Sequence, residues 1–258
     1  MRSHLGVEYG AVPGFRPLEL DLHVPEFSSD DVERRAAVIV HVHGGGWRRG
    51  SRRHPLPCLR EEFYAAMVRA GFAVAAIDYR LSGEAIYPAA LDDVRAAVSA
   101  VGALLAERGV SAGPVFLWGD SAGGHLALLA ALTGTEVAGV VAWFPVTGLA
   151  AMPGSSDPET REALFLGAPT GSVPDLAREA SPIAHVRADA PPMLVMHGDS
   201  DTMVPNTQST SFVTALTAAG GTAELVLVPG AGHFWDGAED PAALHQQAIR
   251  FLRDLAKT

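Results

Sequence analysis

The stretch LWGDSAGGHLALLAAL, residues 117–132, sets an apolar run, a Gly-Asp-Ser-Ala-Gly turn and a second apolar run end to end. Two roles compete for Ser121: the cap of a helix, or a nucleophile held on a strained turn. The pattern G-x-S-x-G favours the nucleophile. An N-cap serine does not need glycine on both sides, whereas a sharp strand-to-helix turn needs small neighbours so that strand and helix can approach. Such a turn lifts the hydroxyl to the C-terminal end of a sheet, where open α/β sheets bind ligands. It also places the oxygen at a helix N-terminus, where free N–H groups favour developing negative charge.

The rest of the chain supplies the sheet that this turn requires. Short, nearly continuous apolar runs occur at 36–43, 72–78, 114–118, 137–144, 192–197 and 223–228. Runs of this kind are strands buried on both faces of a parallel sheet. Helical patterns lie between them at 59–70, 89–108, 122–133, 205–219 and 240–256. In the second of these, Leu91, Val94, Val98, Val101, Leu104 and Leu105 recur at helical spacing. Strand alternating with helix predicts an α/β fold, with a mostly parallel central sheet of about eight strands and helices on both faces. LELDLHV (18–24) is expected to add an antiparallel edge strand. From 145 to about 190 the rhythm breaks into a Pro- and Gly-rich stretch, with helical patches near 159–166 and 174–179. A connection this long reads as a binding element or lid. The expectation is therefore one domain over 1–258 with a small cap-like insertion at about 145–190.

Composition narrows the function classes. With 258 residues, 48% hydrophobic and 19% charged, the chain has ample material for a core. A net charge of −10 disfavours nucleic acid and anionic membranes as partners. A single cysteine, Cys58, excludes intrachain disulfides and CxxC zinc sites, and reads as an ordinary small hydrophobe. The N-terminus lacks the apolar core of a secretory signal and no apolar run is long enough to span a bilayer, so a cytoplasmic location is expected.

A serine nucleophile needs a base, and the base needs an orienting acid. Among ten histidines, His41, His43 and His197 lie at strand ends, and His125 follows the turn on its helix as a packing or surface residue. His233, in PGAGHFW after the last strand, sits on a loop able to bring it over Ser121. The acid is expected in HGDSDTMVP, which offers Asp199, suited to an Asx-type bend, and Asp201. Oxyanion donors are expected from HVHGGGW (41–47), where Gly45 and Gly46 would act with Ala122.

The set HGGGW, DYRLS…YPAALDD, GDSAGGH, SPI, HGDSDTMVP and GAGHF resembles the α/β-hydrolases of the hormone-sensitive-lipase and bacterial acetyl/feruloyl esterase type, from about Leu18 to the C-terminus. The resemblance implies Ser121 as nucleophile, His233 as base, Asp201 rather than Asp199 as acid, and an oxyanion hole of Gly45, Gly46 and Ala122. It implies no metal and no cofactor. Two departures point toward a small, open esterase. The segment before His43 is too short for the N-terminal cap of the lipase relatives, and Trp47 stands where those lipases often carry Phe. Arg80 is expected to pair with Asp92 or Asp93 in a structural role. Trp47, Phe144 and Phe234 are the expected walls of the substrate site.

The leading reading is a serine hydrolase of small carboxylic esters, its partner a small-molecule ester. An amidase or formamidase is the rival among enzymes. A ligand-binding homologue without turnover is the rival outside them, and the full set of motifs argues against it.

Overall fold

The computed structural model describes residues 1–27, 35–53, 56–60, 62–154 and 156–257. The six expected core strands are β3 (Arg35–Val42), β4 (Ala73–Ile77), β5 (Ser111–Asp120), β6 (Gly139–Trp143), β7 (Met193–Gly198) and β8 (Ala223–Val228), all mutually parallel. β2 (Leu18–Val24) is antiparallel to β4, as expected, but it is not the edge. β1 (Arg2–Gly10) pairs outside it. The sequence RSHLGVEYG hides this strand because only Tyr9 is buried, so no apolar alternation marks it. Among the described residues the strands form one sheet in the order β1-β2-β4-β3-β5-β6-β7-β8.

Strand alternation sorts the core into two layers. Val38, Val40 and Val42 face α2 (Ala89–Ala106), α3 (Ala122–Leu132) and α6 (Thr207–Ala218). Ile39, Phe116, Trp118 and Leu194 face α1 (Glu62–Arg69) and α7 (Pro241–Leu255). α3 is buried on every side, as an all-apolar helix must be. α1 starts later than the 59–70 pattern predicts, because Arg60 takes a left-handed φ of 44° that ends a turn. Glu61 lies outside the described residues, as does Ser155 in the insertion. No helix among the described residues is long and apolar enough to cross a membrane.

Between β6 and β7 the chain makes α4 (Arg161–Leu166), α5 (Pro174–Glu179) and three single turns of tighter helix. Thr160 caps α4 by accepting from Ala163 N at 3.1 Å. Side chains dock the segment. Gln208 Oε1 accepts from Thr147 N at 2.8 Å and Gly148 N at 2.7 Å, and Phe165 stacks on Trp47 with centroids 4.7 Å apart. Arg80 meets buried Asp93, its Nη2 donating to Oδ1 at 2.7 Å, and so braces the start of α2.

Candidate active site

The loops after β3, β5, β7 and β8 converge at the C-terminal edge of the parallel strands. Ser121 sits between β5 and α3 with φ 53° and ψ −118°. Its neighbours have no room for side chains. A Cβ on Gly119 would overlap the Gly123 carbonyl, and one on Gly123 would overlap that of Val42. Ser121 N donates to Trp143 O at 2.8 Å, which anchors the turn to β6.

Ser121 Oγ lies 3.1 Å from His233 Nε2, and His233 Nδ1 lies 2.6 Å from Asp201 Oδ2. The short contact to a carboxylate places the proton on Nδ1, leaving Nε2 free to accept from the serine. Asp201 Oδ1 accepts from Met203 N at 2.8 Å and Val204 N at 2.9 Å. Burial alone would raise the Asp201 pKa. Hydrogen bonds from His197, His233 and the Val204 N–H outweigh it and hold the carboxyl well below the usual range. Asp199 stands apart: its Oδ1 accepts from Gly230 N at 2.8 Å and ties the β7 loop to the loop that carries His233.

The glycine loop after β3 is braced rather than loose. Asp120 Oδ2 accepts from Gly44 N at 3.0 Å, and its Oδ1 lies 3.2 Å from His41 Nε2. Gly45, Gly46 and Trp47 then follow with φ of 122°, 60° and 57°. Among the described residues no acceptor meets the N–H of Gly45, Gly46 or Ala122. The loop thus spends the Gly44 donor on Asp120 and keeps the next ones open.

A narrow, partly open cavity adjoins Ser121, enclosing only about 10 Å³ and lined by Gly46, Trp47, Ala122, Val146, Met152, Arg161, Glu162 and Val204. Of the three expected aromatic walls only Trp47 lines it. Phe144 and Phe234 pack on the His233 ring instead, with centroids 4.5 and 4.4 Å away. A larger, more open hollow between β8 and α7, lined by Glu224, Gln247 and Arg250, contains none of these groups.

Several contributors escape a reading of the sequence. His125 accepts from Trp47 Nε1 at 3.2 Å and donates to Ala180 O at 2.7 Å, so it clamps the glycine loop to the insertion. Burial pushes its pKa down to about 4 and keeps it neutral. His197 lies 3.3 Å from Asp201 Oδ2. Asp120 was visible inside the serine motif, but its partners, far off in sequence, were not. Nothing local marks Arg161 or Glu162. Cys58 is exposed, its Sγ 3.5 Å from Phe234 O.

Comparison with known proteins agrees with this architecture. The family model described as BD-FAE matches residues 20–216. Esterase LipQ of Mycobacterium tuberculosis is 32% identical over 248 residues, which cover 89% of this chain but 56% of LipQ. The chain therefore spans little more than half of that relative. A truncated carbohydrate esterase from gut microbiota superposes with a TM-score of 0.86 at 27% identity, covering 100% of this chain and 97% of the other. The propionate-bound esterase Est2 of Thermogutta terrifontis gives 0.72 at 27% identity, covering 96% and 90%.

Proposed function

Since the chain belongs to the BD-FAE family and has the α/β-hydrolase fold, we propose that it hydrolyses small carboxylic esters through an acyl-enzyme on Ser121. The observation that carries this reading is the unbroken hydrogen-bond chain from Ser121 Oγ through His233 to Asp201. Ser121 Oγ attacks the ester carbonyl as His233 Nε2 takes its proton. Asp201 holds the imidazole in the productive tautomer and stabilises the imidazolium. The oxyanion accepts from the open N–H groups of Gly45, Gly46 and Ala122, each worth roughly 10² to 10³ in rate. His233 returns the proton to the leaving alcohol. It then activates the water that releases the acid.

The small cavity favours short acyl groups, and the propionate bound to Est2 supports the same preference. The test is covalent labelling. A fluorophosphonate probe is expected to modify the peptide containing Ser121, and Ser121→Ala is expected to abolish labelling and cut kcat by on the order of 10⁶. Labelling that survives the substitution would overturn the assignment.

A further inference from the structure

Glu162 stands apart from the other buried carboxylates. Asp21, Asp93, Asp120 and Asp201 each meet an arginine, a histidine or a backbone N–H of another residue. Glu162, in the first turn of α4, is only 7% exposed, yet no other described residue donates to its carboxyl. Its own backbone N–H is the one donor that turns toward it. A carboxylate offers about four acceptor positions, so most of this capacity is unused. Neither oxygen is sealed away among the fully enclosed unpartnered atoms. The space that Glu162 lines is the cavity beside Ser121. An acceptor confined in this way has few partners, and a ligand that supplies a donor completes its hydrogen bonding.

Geometry says which part of an ester enters this cavity. The leaving oxygen has to lie within reach of His233 Nε2, which protonates it. The carbonyl oxygen has to face Gly46 and Ala122. The cavity is lined by Ser121, Gly46 and Ala122 but not by His233, so it receives the acyl side. Val146, Met152 and Val204 suit the carbons of a short chain, and Glu162 suits a donor on it. The donor is neutral rather than cationic. Arg161 shares the cavity, its side-chain stem close over Gly46, and its positive charge repels an ammonium. Arg161 is itself half-exposed and meets water, so it does not need the ligand.

We propose that Glu162 selects the acyl group by accepting a hydrogen bond from a hydroxyl on a short hydroxyacyl ester. This rests on the esterase reading above and adds the acyl specificity. Burial raises the Glu162 pKa, while the Arg161 charge works against that rise.

The test uses matched p-nitrophenyl esters, butyryl against 3-hydroxybutyryl. For the intact protein kcat/KM is expected to be about tenfold to a hundredfold higher for the hydroxyacyl ester, the span of a charge-assisted hydrogen bond. Glu162→Leu is expected to abolish or reverse that ratio, with Glu162→Gln intermediate and both variants checked for an intact thermal transition. A ratio near one for the intact protein, or one unchanged by Glu162→Leu, overturns the proposal. A second arm needs no turnover. In the Ser121→Ala background, calorimetry compares 3-hydroxybutyrate and butyrate ethyl esters. A preference for the hydroxyacyl ester that Glu162→Leu removes supports the role of Glu162 even if the esterase reading fails. Equal affinities overturn it.

Discussion

Two regions meet at Ser121 and are built on opposite principles. The C-terminal edge of the parallel strands is a main-chain construction. Its turns are set by left-handed φ at Gly45, Gly46, Trp47 and Ser121, and by glycines where a Cβ would strike backbone. Its acid is pinned by two backbone N–H groups. The segment from 145 to 192 has short helices and docks through side chains: Phe165 on Trp47, Gln208 on Thr147 and Gly148, and the Ala180 carbonyl on His125. Backbone strain clusters at the edge because rigid placement of reacting atoms needs it. Contacts made by side chains can change without disturbing the sheet. Under the proposed function, the difference would separate chemistry, on the edge, from selection, on the segment.

The sharpest way to break that division is the edge acid. Asp201→Asn is expected to lower kcat by on the order of 10⁴, because the imidazole then takes the wrong tautomer. Asp199→Asn, which only loosens the tie to Gly230, is expected to cost less than about tenfold by the same tautomer argument. Steady-state kinetics on one ester ranks them, and the reverse order would move the acid to Asp199. Acyl length probes the segment. A buried methylene gains about 0.8 kcal/mol only while the cavity holds it. kcat/KM on p-nitrophenyl esters is therefore expected to peak between acetyl and butyryl and to fall by octanoyl. An optimum at octanoyl would mean that the segment opens into a deep tunnel.

Gln208→Leu sharpens the comparison from the other side. It strips the acceptor from two N–H groups at the root of the segment, a loss of about 2 kcal/mol. Calorimetry is expected to show Tm lower by about 4–8 °C. Turnover of an acetyl ester stays within about threefold if chemistry resides on the edge.

The smallest effect lies away from the site. His245 stacks on Phe63, its Nε2 is buried without a partner among the described residues, and burial lowers its pKa to about 4. The unfolded chain, with an ordinary value near 6.5, takes up the proton first. Stability is therefore whole above pH ~6.5 and declines as pH falls from there to about 4. His245→Phe is expected to make the decline of Tm between pH 7.5 and pH 5 shallower, by on the order of 2 kcal/mol at pH 5. An equal shift of Tm at both pH values would assign the residue to packing alone.

How far the sequence reaches follows the same division. The six parallel strands were legible because burial on both faces makes each a continuous apolar run, and Ser121 was legible because its glycines answer a local steric demand. β1 was not, since Tyr9 is its one buried residue and no hydrophobic period marks the strand. Asp199 and Asp201 are two residues apart and equal in chemistry. Only the fold brings one of them to 2.6 Å from His233.

The chain by itself determined the sheet and the strained turn, because these are written in local sterics and in hydrophobic period; the order of serine, acid and histidine was implied by the resemblance of its motifs to a known family. Tertiary structure alone decided which groups join Trp47, Gly46 and Ala122 around the space beside Ser121. Phe144 and Phe234 went to His233, and Arg161 and Glu162 came to the cavity from a helical patch whose docking the sequence does not mark. Short helices docked by side chains take their positions from distant partners such as Gln208 and His125, and no local pattern encodes a contact whose other half lies elsewhere in the chain.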